Sequence, residues 1–224
     1  MTRTRALLVA AVAGGLLYLA GAIALGSAPG IDDGPDQVAG FLADHADGVR
    51  TYAWTAALGT LAIAVFAGIV AGLLTSPSRE VFLIGAAAFV VENAIQAWLW
   101  GAMALRPEAT DAGTLRTLLD VAIFWGPVLT GATTTMIGAV TVLGLRSRPL
   151  IPGWLTVLGV VAFLEQAIET ITVFGTGGFI APGGAMNLDL GAGLTLIWLI
   201  ALTVWAVAGG DATRTRGEPA PAPS

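Results

Sequence analysis

The sequence predicts an all-α membrane protein, a polytopic bundle of six transmembrane helices. Of its 224 residues, 56% are hydrophobic and only 11% are charged, whereas soluble domains have about 25% charged residues. The mean hydropathy is +0.82. A membrane-spanning helix needs roughly 20 mostly apolar residues, and six stretches reach that length: 6–26, 52–74, 81–104, 118–144, 153–176 and 188–208. They predict a single transmembrane domain over residues 1–210, followed by a disordered cytoplasmic tail over 211–224.

The first two elements follow from local patterns. Arg3 and Arg5 precede the first apolar stretch as they would in a signal peptide, but its core of about 20 residues exceeds the usual 7–15. We therefore expect a retained first span. The next segment, 26–50, begins with turn residues and then places Val38, Phe41 and Leu42 at helical spacing. This spacing predicts a short external helix between spans one and two that lies on the membrane surface.

The basic residues predict the orientation of the remaining spans. All ten are arginines, and they divide between the two sets of helix ends. Seven fall on one side and three on the other: Arg3, Arg5, Arg79, Arg146, Arg148, Arg214 and Arg216 against Arg50, Arg106 and Arg116. Cytoplasmic loops carry the excess of arginine and lysine. Both termini are therefore predicted to be cytoplasmic, in a multi-pass protein of the plasma membrane.

Several kinds of chemistry are excluded by composition. The chain has no cysteine and one histidine, which rules out disulfides, iron–sulfur clusters and cysteine zinc sites. Without lysine there is no Schiff base and no P-loop. We expect no cofactor and no metal, and the absence of a basic patch predicts that nucleic acid is not a partner. The expected partners are the lipid bilayer and a hydrophobic or protonatable small molecule.

Two spans carry acids and amides near their centres. Span three contains VENAIQAWLW (91–100), and span five contains LEQAIETITV (164–173). The candidate ligand- or proton-binding residues are Glu92, Asn93, Gln96, Glu165, Gln166 and Glu169. A charge at the centre of a spanning helix costs roughly 2.5–3.5 kcal/mol or more, and no arginine lies nearby in these spans. We expect at least one of the three glutamates to be protonated at neutral pH.

The spacing of these residues suggests how they meet. Residues four apart share a helix face, so each span presents a polar stripe. Aligning Glu92 with Glu165 also aligns Gln96 with Glu169, a pattern that duplication of a two-span hairpin would produce. We expect spans three and five to face each other, with hydrogen bonds from the first stripe to the second. This network either packs helices or forms a functional polar site.

Span four adds a second irregular feature. Pro127 lies inside it, and proline frees a backbone carbonyl and kinks a helix. A kinked helix would border the cavity used by the glutamates. The residues expected to line that pocket are Trp98, Trp100, Trp125, Thr130 and Thr172. A weaker signal, GIVAG at 68–72, is a GxxxG pattern typical of closely packed spanning helices.

The stretch VAGFLADHADGVRTYAW (38–54), an acidic surface helix that continues into span two, resembles small actinobacterial six-span membrane proteins of unknown function. The resemblance covers nearly the whole chain and implies an integral membrane protein without implying an activity. The buried glutamates and seven tryptophans are also similar to those of small membrane terpene cyclases, which protonate an isoprenoid with a carboxylic acid. No tryptophan directly precedes a glutamate here, so the paired motif of that family is missing.

Three functions remain open from the sequence. The first is a carrier or proton- or ion-coupled small-molecule binding protein, in which the mid-membrane glutamates form the site. The second is a structural or assembly protein in which the same carboxyls only pack helices. The third is an intramembrane enzyme that acts on a lipid or isoprenoid and uses one glutamate as general acid.

Overall fold

In the computed structural model, residues 2–146 and 150–212 are described, with side chains as far as residue 209. Six segments are long and apolar enough to cross a membrane: Arg3–Leu25, Ala46–Ala71, Ser78–Met103, Ala112–Arg146, Gly153–Phe174 and Met186–Gly209. They confirm the six predicted spans, and the described residues contain helices and no strand. The predicted tail lies outside the described residues from position 213 onward.

The described part of the chain contains eight α-helices. They are α1 (Arg3–Leu25), α2 (Pro35–Asp44), α3 (Ala46–Ala71), α4 (Ser78–Met103), α5 (Ala112–Ile123), α6 (Trp125–Arg146), α7 (Gly153–Glu169) and α8 (Ala192–Ala212). Span four consists of α5 and α6, which are separated at Phe124. Pro127 lies in the first turn of α6, a position where the missing N–H has no helical partner anyway. The predicted irregularity of span four is therefore a break just before the proline.

The short helix expected between spans one and two is α2. It begins at Pro35, and Gln37 Oε1 accepts a hydrogen bond from the backbone N–H of Gly34 at 2.7 Å. Val38 and Leu42 are buried where α2 packs against α5. The membrane side on which this helix lies stays a prediction.

Arg116 of α5 ties the segment before α2 to the bundle. Its guanidinium donates hydrogen bonds of 2.8 Å to the carbonyls of Gly30, Ile31 and Asp33. It also forms an ion pair with Asp120 at 2.6 Å. Arg116 thus holds a segment without helical hydrogen bonds, together with Asp33 Oδ2, which accepts a hydrogen bond from the backbone N–H of Gly30 at 2.7 Å.

The spanning helices form a closed ring in chain order. Each packs on the next, in the sequence α1, α3, α4, α6, α7 and α8, and α8 returns to contact α1. Both α4 and α7 pack on α6. Span four therefore lies between spans three and five, which the sequence had predicted to face each other.

Two apolar clusters fill the ring at different depths. The first draws on all six spans and includes Leu7, Phe66, Phe82, Ile137, Leu155, Trp198 and Leu202. The second cluster joins α2 and α5 to the far end of α4 and includes Val38, Leu42, Trp100, Met103, Leu115 and Leu119. Many large apolar side chains on the outer faces of the spans are exposed, among them Leu16, Leu61, Ile84, Val128 and Ile197, as contact with lipid requires.

The close approach of α4 to α6 depends on Gly85. A Cβ there would lie 2.9 Å from the carbonyl oxygen of Ala132 and 2.9 Å from the backbone nitrogen of Met136. By contrast, Gly68 of the GxxxG pattern has nothing within 4 Å of such an atom. The GxxxG pattern therefore does not mark close packing at that glycine.

We expect Gly85→Ala to lower the thermal unfolding midpoint of the purified protein by several degrees, because backbone must move to make room and overpacking costs about 1–3 kcal/mol. Gly131→Ala on α6 is the matched control, since a Cβ there has nothing within 4 Å and alanine favours a helix over glycine. The close contact is contradicted if both variants unfold at the wild-type temperature.

Candidate functional site

A layer of polar side chains lies between the two apolar clusters. On α4, Phe82 belongs to the first cluster and Met103 to the second, and the buried Asn93 and Gln96 come between them. Spans one, two and four also have members in both clusters, whereas the described residues of spans five and six belong only to the first. Buried or half-buried polar groups of this layer are Tyr18, Thr60, Glu92, Asn93, Gln96, Thr130, Thr133, Glu165, Gln166, Glu169, Thr172 and Asn187. We call this set the polar layer.

Glu169 is the glutamate of the polar layer whose two oxygens both accept hydrogen bonds. It is the last residue of α7 and is only 3% exposed. Its Oε1 accepts a short hydrogen bond from Asn187 Nδ2, and its Oε2 accepts one from Gln166 Nε2 at 2.5 Å. Two amide donors on two oxygens is the pattern that a carboxylate satisfies. The side chain therefore has partners on both sides and needs no cation.

Gln166 links this carboxyl to span four. Its Nε2 donates to Glu169 and also to Glu165 Oε2 at 3.0 Å, and its Oε1 accepts a short hydrogen bond from the Thr133 hydroxyl. Each polar atom of the amide thus has a partner. The network holds α6 and α7 together through side chains that hydrocarbon could not solvate.

Asn187 links the same carboxyl to span six. It lies in a π-helical turn, Met186–Gly191, and its Oδ1 accepts from the backbone N–H of Gly183 at 3.0 Å. A backbone N–H can only donate, so this contact fixes the amide with its NH₂ toward Glu169. A Cβ at Gly126 of α6 would lie 3.3 Å from the Asn187 amide carbon. The amide thus fits between span four and span five.

Three spans depart from the α-helix near the hydrogen-bonded pair of Glu169 and Asn187. Span five changes from α7 to a 3₁₀ turn, Thr170–Phe174, directly after Glu169. Span six begins with the π-helical turn, and span four is broken at Phe124. Gly191 closes the site, because a Cβ there would lie 2.8 Å from Glu169 Oε1 and nearer still to Oε2. Irregular backbone at membrane depth is tolerated where it is buried in protein or borders a cavity.

A second contact of the polar layer connects spans one and three. The Tyr18 hydroxyl donates to Asn93 Oδ1 at 3.1 Å, and Asn93 Nδ2 donates to the Phe89 carbonyl at 2.7 Å. The Tyr18 ring passes over Gly59, where a Cβ would lie 2.6 Å from Cε2. The glycine allows the phenol of α1 to reach across α3 to α4.

Among the described residues, seven other buried polar atoms have no hydrogen-bond partner. They are Glu92 Oε2, Gln96 Oε1, Glu165 Oε1, Trp125 Nε1, Trp198 Nε1 and the hydroxyl oxygens of Thr134 and Thr195. An unpaired buried donor or acceptor costs about 1–3 kcal/mol, so such atoms are rare without a water or ligand. Among the described residues, no ion pair reaches Glu92, Glu165 or Glu169.

The predicted pairing of the two polar stripes is wrong. Among the described residues, no hydrogen bond joins Glu92, Asn93 or Gln96 to residues 165–169. The reason is geometric, because α6 lies between the two helices and supplies Thr133 as the partner of Gln166. The hydrogen-bond partners of each stripe therefore come from the helices that pack against it, and some of its polar atoms have none among the described residues.

Of the five residues predicted to line a pocket, four are buried or half-buried and one is exposed. Thr130 and Thr172 are buried in the polar layer, and Trp125 directs a buried Nε1 into the protein. Trp100 is buried in the second apolar cluster. Trp98 is 70% exposed, because a 3.6-residue period turns it away from Gln96 and Trp100 toward the outer surface. It does not contribute to the site.

Sequence reasoning missed Tyr18, Asn187 and Gly191. Asn187 directly precedes the predicted sixth span, 188–208, and an amide in that position is a signal for a polar group at a span entrance. Tyr18 is a phenol in the middle of an apolar stretch, a signal of the same kind as Asn93. Only the folded structure shows that Gly191 lies against a carboxylate.

The chemistry of this layer is that of binding through hydrogen bonds and carboxyl groups. The described residues contain no group of three or more histidine, cysteine, aspartate or glutamate side chains that could hold a metal ion. No family model matches the chain, and comparisons with curated proteins and with solved structures find no significant match.

Proposed function

We propose that the protein is a carrier or proton-coupled binding protein of the plasma membrane, with its small-molecule site in the polar layer. The observation that carries the proposal is the set of buried oxygens without donors, those of Glu92, Gln96 and Glu165. A bound molecule or a proton would supply the missing donors. The helices alone do not require these groups, since apolar residues would pack at lower cost.

Two further features support a binding role. On α4 the polar layer lies between the two apolar clusters, so a molecule bound beside Glu92 and Gln96 would have apolar side chains toward either end. Glu92 and Glu165 each have an oxygen without a donor, and no described arginine forms an ion pair with either, so a proton or a cationic group would compensate a negative charge there. We therefore expect binding of the small molecule to be coupled to the uptake or release of a proton by these glutamates.

A structural role is the second candidate, and one observation favours it. Glu169 has both oxygens occupied and joins α6, α7 and the entrance of α8 through Gln166 and Asn187. That arrangement stabilises a bundle whether or not a ligand binds. Substitution of Glu92 distinguishes the two proposed functions. This residue has an unpaired oxygen and forms no hydrogen bond to another described helix.

We expect ligand-driven proton movement in vesicles that contain the purified protein and a pH-sensitive dye. Choline, glycine, aspartate and glucose are added outside in turn as poorly permeant probes of four charge classes. At least one class should change the internal pH faster than in empty vesicles. Glu92→Gln should return the rate to the empty-vesicle level, because glutamine keeps the shape and removes the titratable proton.

The control for this experiment is Glu108→Gln, which changes an exposed carboxyl in the turn Pro107–Ala109. It should leave the rate at the wild-type value. Rates equal to those of empty vesicles for all four probes, with Glu92→Gln folded and as stable as the wild type, would contradict proton-coupled transport and favour the structural role.

A further inference from the structure

The site most in need of a ligand is on α4. Glu92, Gln96 and Trp100 follow one another at intervals of four residues, which places them on one face of the helix at steps of about 6 Å. We call these three residues the α4 stripe. Gln96 is 7% exposed and Trp100 is 5% exposed, so the stripe faces into the protein.

We propose that the α4 stripe binds a small organic cation through its ammonium group, an inference that rests on the proposed function and names its ligand class. Glu92 Oε2 and Gln96 Oε1 are both buried acceptors without a donor. An ammonium group has only donors, three of them. One such group between the two oxygens satisfies both and neutralises the carboxylate.

Charge distinguishes this stripe from the site at Glu169. The Glu169 carboxylate already receives two amide hydrogen bonds. Glu92 receives none on Oε2, and no described arginine forms an ion pair with it. An uncompensated carboxylate in a layer of low polarity attracts a cation more strongly than it would in water.

The third member of the stripe favours an organic cation over a metal ion. Trp100 lies one turn beyond Gln96, and its ring meets that of Tyr52 edge to face with 6.0 Å between centroids. Aromatic faces attract ammonium groups, and the second apolar cluster around Met103 offers contact to an alkyl chain. Calcium takes about six to eight oxygen ligands, whereas the stripe supplies two unpaired ones.

The test uses three probes of equal length and different charge: n-butylammonium, n-butanol and n-butyrate. Binding to the full chain in lipid nanodiscs is followed by tryptophan fluorescence and by the thermal unfolding midpoint. We expect n-butylammonium to bind and the other two to bind at least about tenfold more weakly, a difference of about 1.4 kcal/mol. Glu92→Gln should weaken n-butylammonium binding by a similar factor, while Glu108→Gln should not.

Gln96 provides variants that test the stripe without removing the acid. Gln96→Leu should weaken n-butylammonium binding, because one acceptor is lost. Gln96→Glu should strengthen it, because a second carboxylate faces the ammonium group. These two variants decide the question if Glu92→Gln does not fold.

Some outcomes overturn the ligand class and leave the proposed function standing. Preferential binding of n-butyrate or n-butanol, or n-butylammonium binding that none of the three variants alters, would show that the stripe does not receive a cation. Failure of all three probes would overturn it too. Proton movement driven by glycine, aspartate or glucose in the vesicle assay would then still support a carrier with a different ligand.

Discussion

Replacing Gly191 by alanine is expected to lower the unfolding midpoint of the protein more than any other single glycine change proposed for this chain. The new methyl group would occupy the space of the Glu169 carboxylate. The carboxylate would move and lose its hydrogen bonds from Asn187 and Gln166, each worth about 1.5–3 kcal/mol. Because 1 kcal/mol shifts the midpoint by about 2–4 °C in a chain of this size, the decrease should be large.

The matched control is Gly193→Ala, two residues further along the same span. A Cβ at Gly193 has nothing within 4 Å, and alanine is favoured over glycine in a helix by about 1 kcal/mol. This variant should be as stable as the wild type or slightly more stable. Thermal unfolding in one detergent measures both, and equal midpoints for the two variants would contradict the position of Glu169 against span six.

Substitutions at Glu169 and Asn187 should have strongly coupled effects on the free energy of unfolding. Glu169→Gln places an NH₂ group where at least one neighbouring amide also donates, because Gly183 fixes the orientation of Asn187. We expect a loss of about 1–3 kcal/mol. Asn187→Asp should also be unfavourable, since it places two carboxyls in direct contact.

The double variant Glu169→Gln with Asn187→Asp should recover most of the stability lost by either single change. The aspartate can accept from Gly183 with one oxygen and from the new glutamine with the other. A double-mutant cycle on the free energy of unfolding should give a coupling of at least about 1 kcal/mol in favour of the double variant. Glu92→Gln is the control, because no neighbour donates to its Oε2.

Additive losses in this cycle would mean that Glu169 and Asn187 are not partners in the folded protein. A Glu92→Gln variant much less stable than the wild type would show that Glu92 has a packing role. That second result would remove the main reason to treat Glu92 as a ligand-binding residue.

The architecture was predictable because hydrocarbon imposes a simple length rule on every span. The observed spans Ala46–Ala71 and Ser78–Met103 begin several residues before the predicted ones, since polar residues at the helix ends continue the hydrogen-bonded backbone without being apolar. The short helix α2 was also predicted from the spacing of its buried residues. Neighbour order was not predictable, because apolar faces of similar composition pack on one another without preference.

The faces of the two polar stripes were predicted better than their partners. Asn93 and Gln166 occupy aligned positions and are both buried, and Glu92 and Glu165 are both half-buried with one unpaired oxygen. Helical periodicity determines such faces directly. The partners Tyr18 and Asn187 come from other spans, and their choice depends on the order of helices around the ring.

The ring has a consequence for biosynthesis, because its neighbours follow chain order. Each newly synthesised span can dock on the one inserted just before it, and the contacts of the sixth span with spans one, four and five must wait until that span is made. Asn187 arrives with that last span. Until then Glu169 has Gln166 as partner on one side only, so the acid is fully paired only when translation has delivered the end of the bundle.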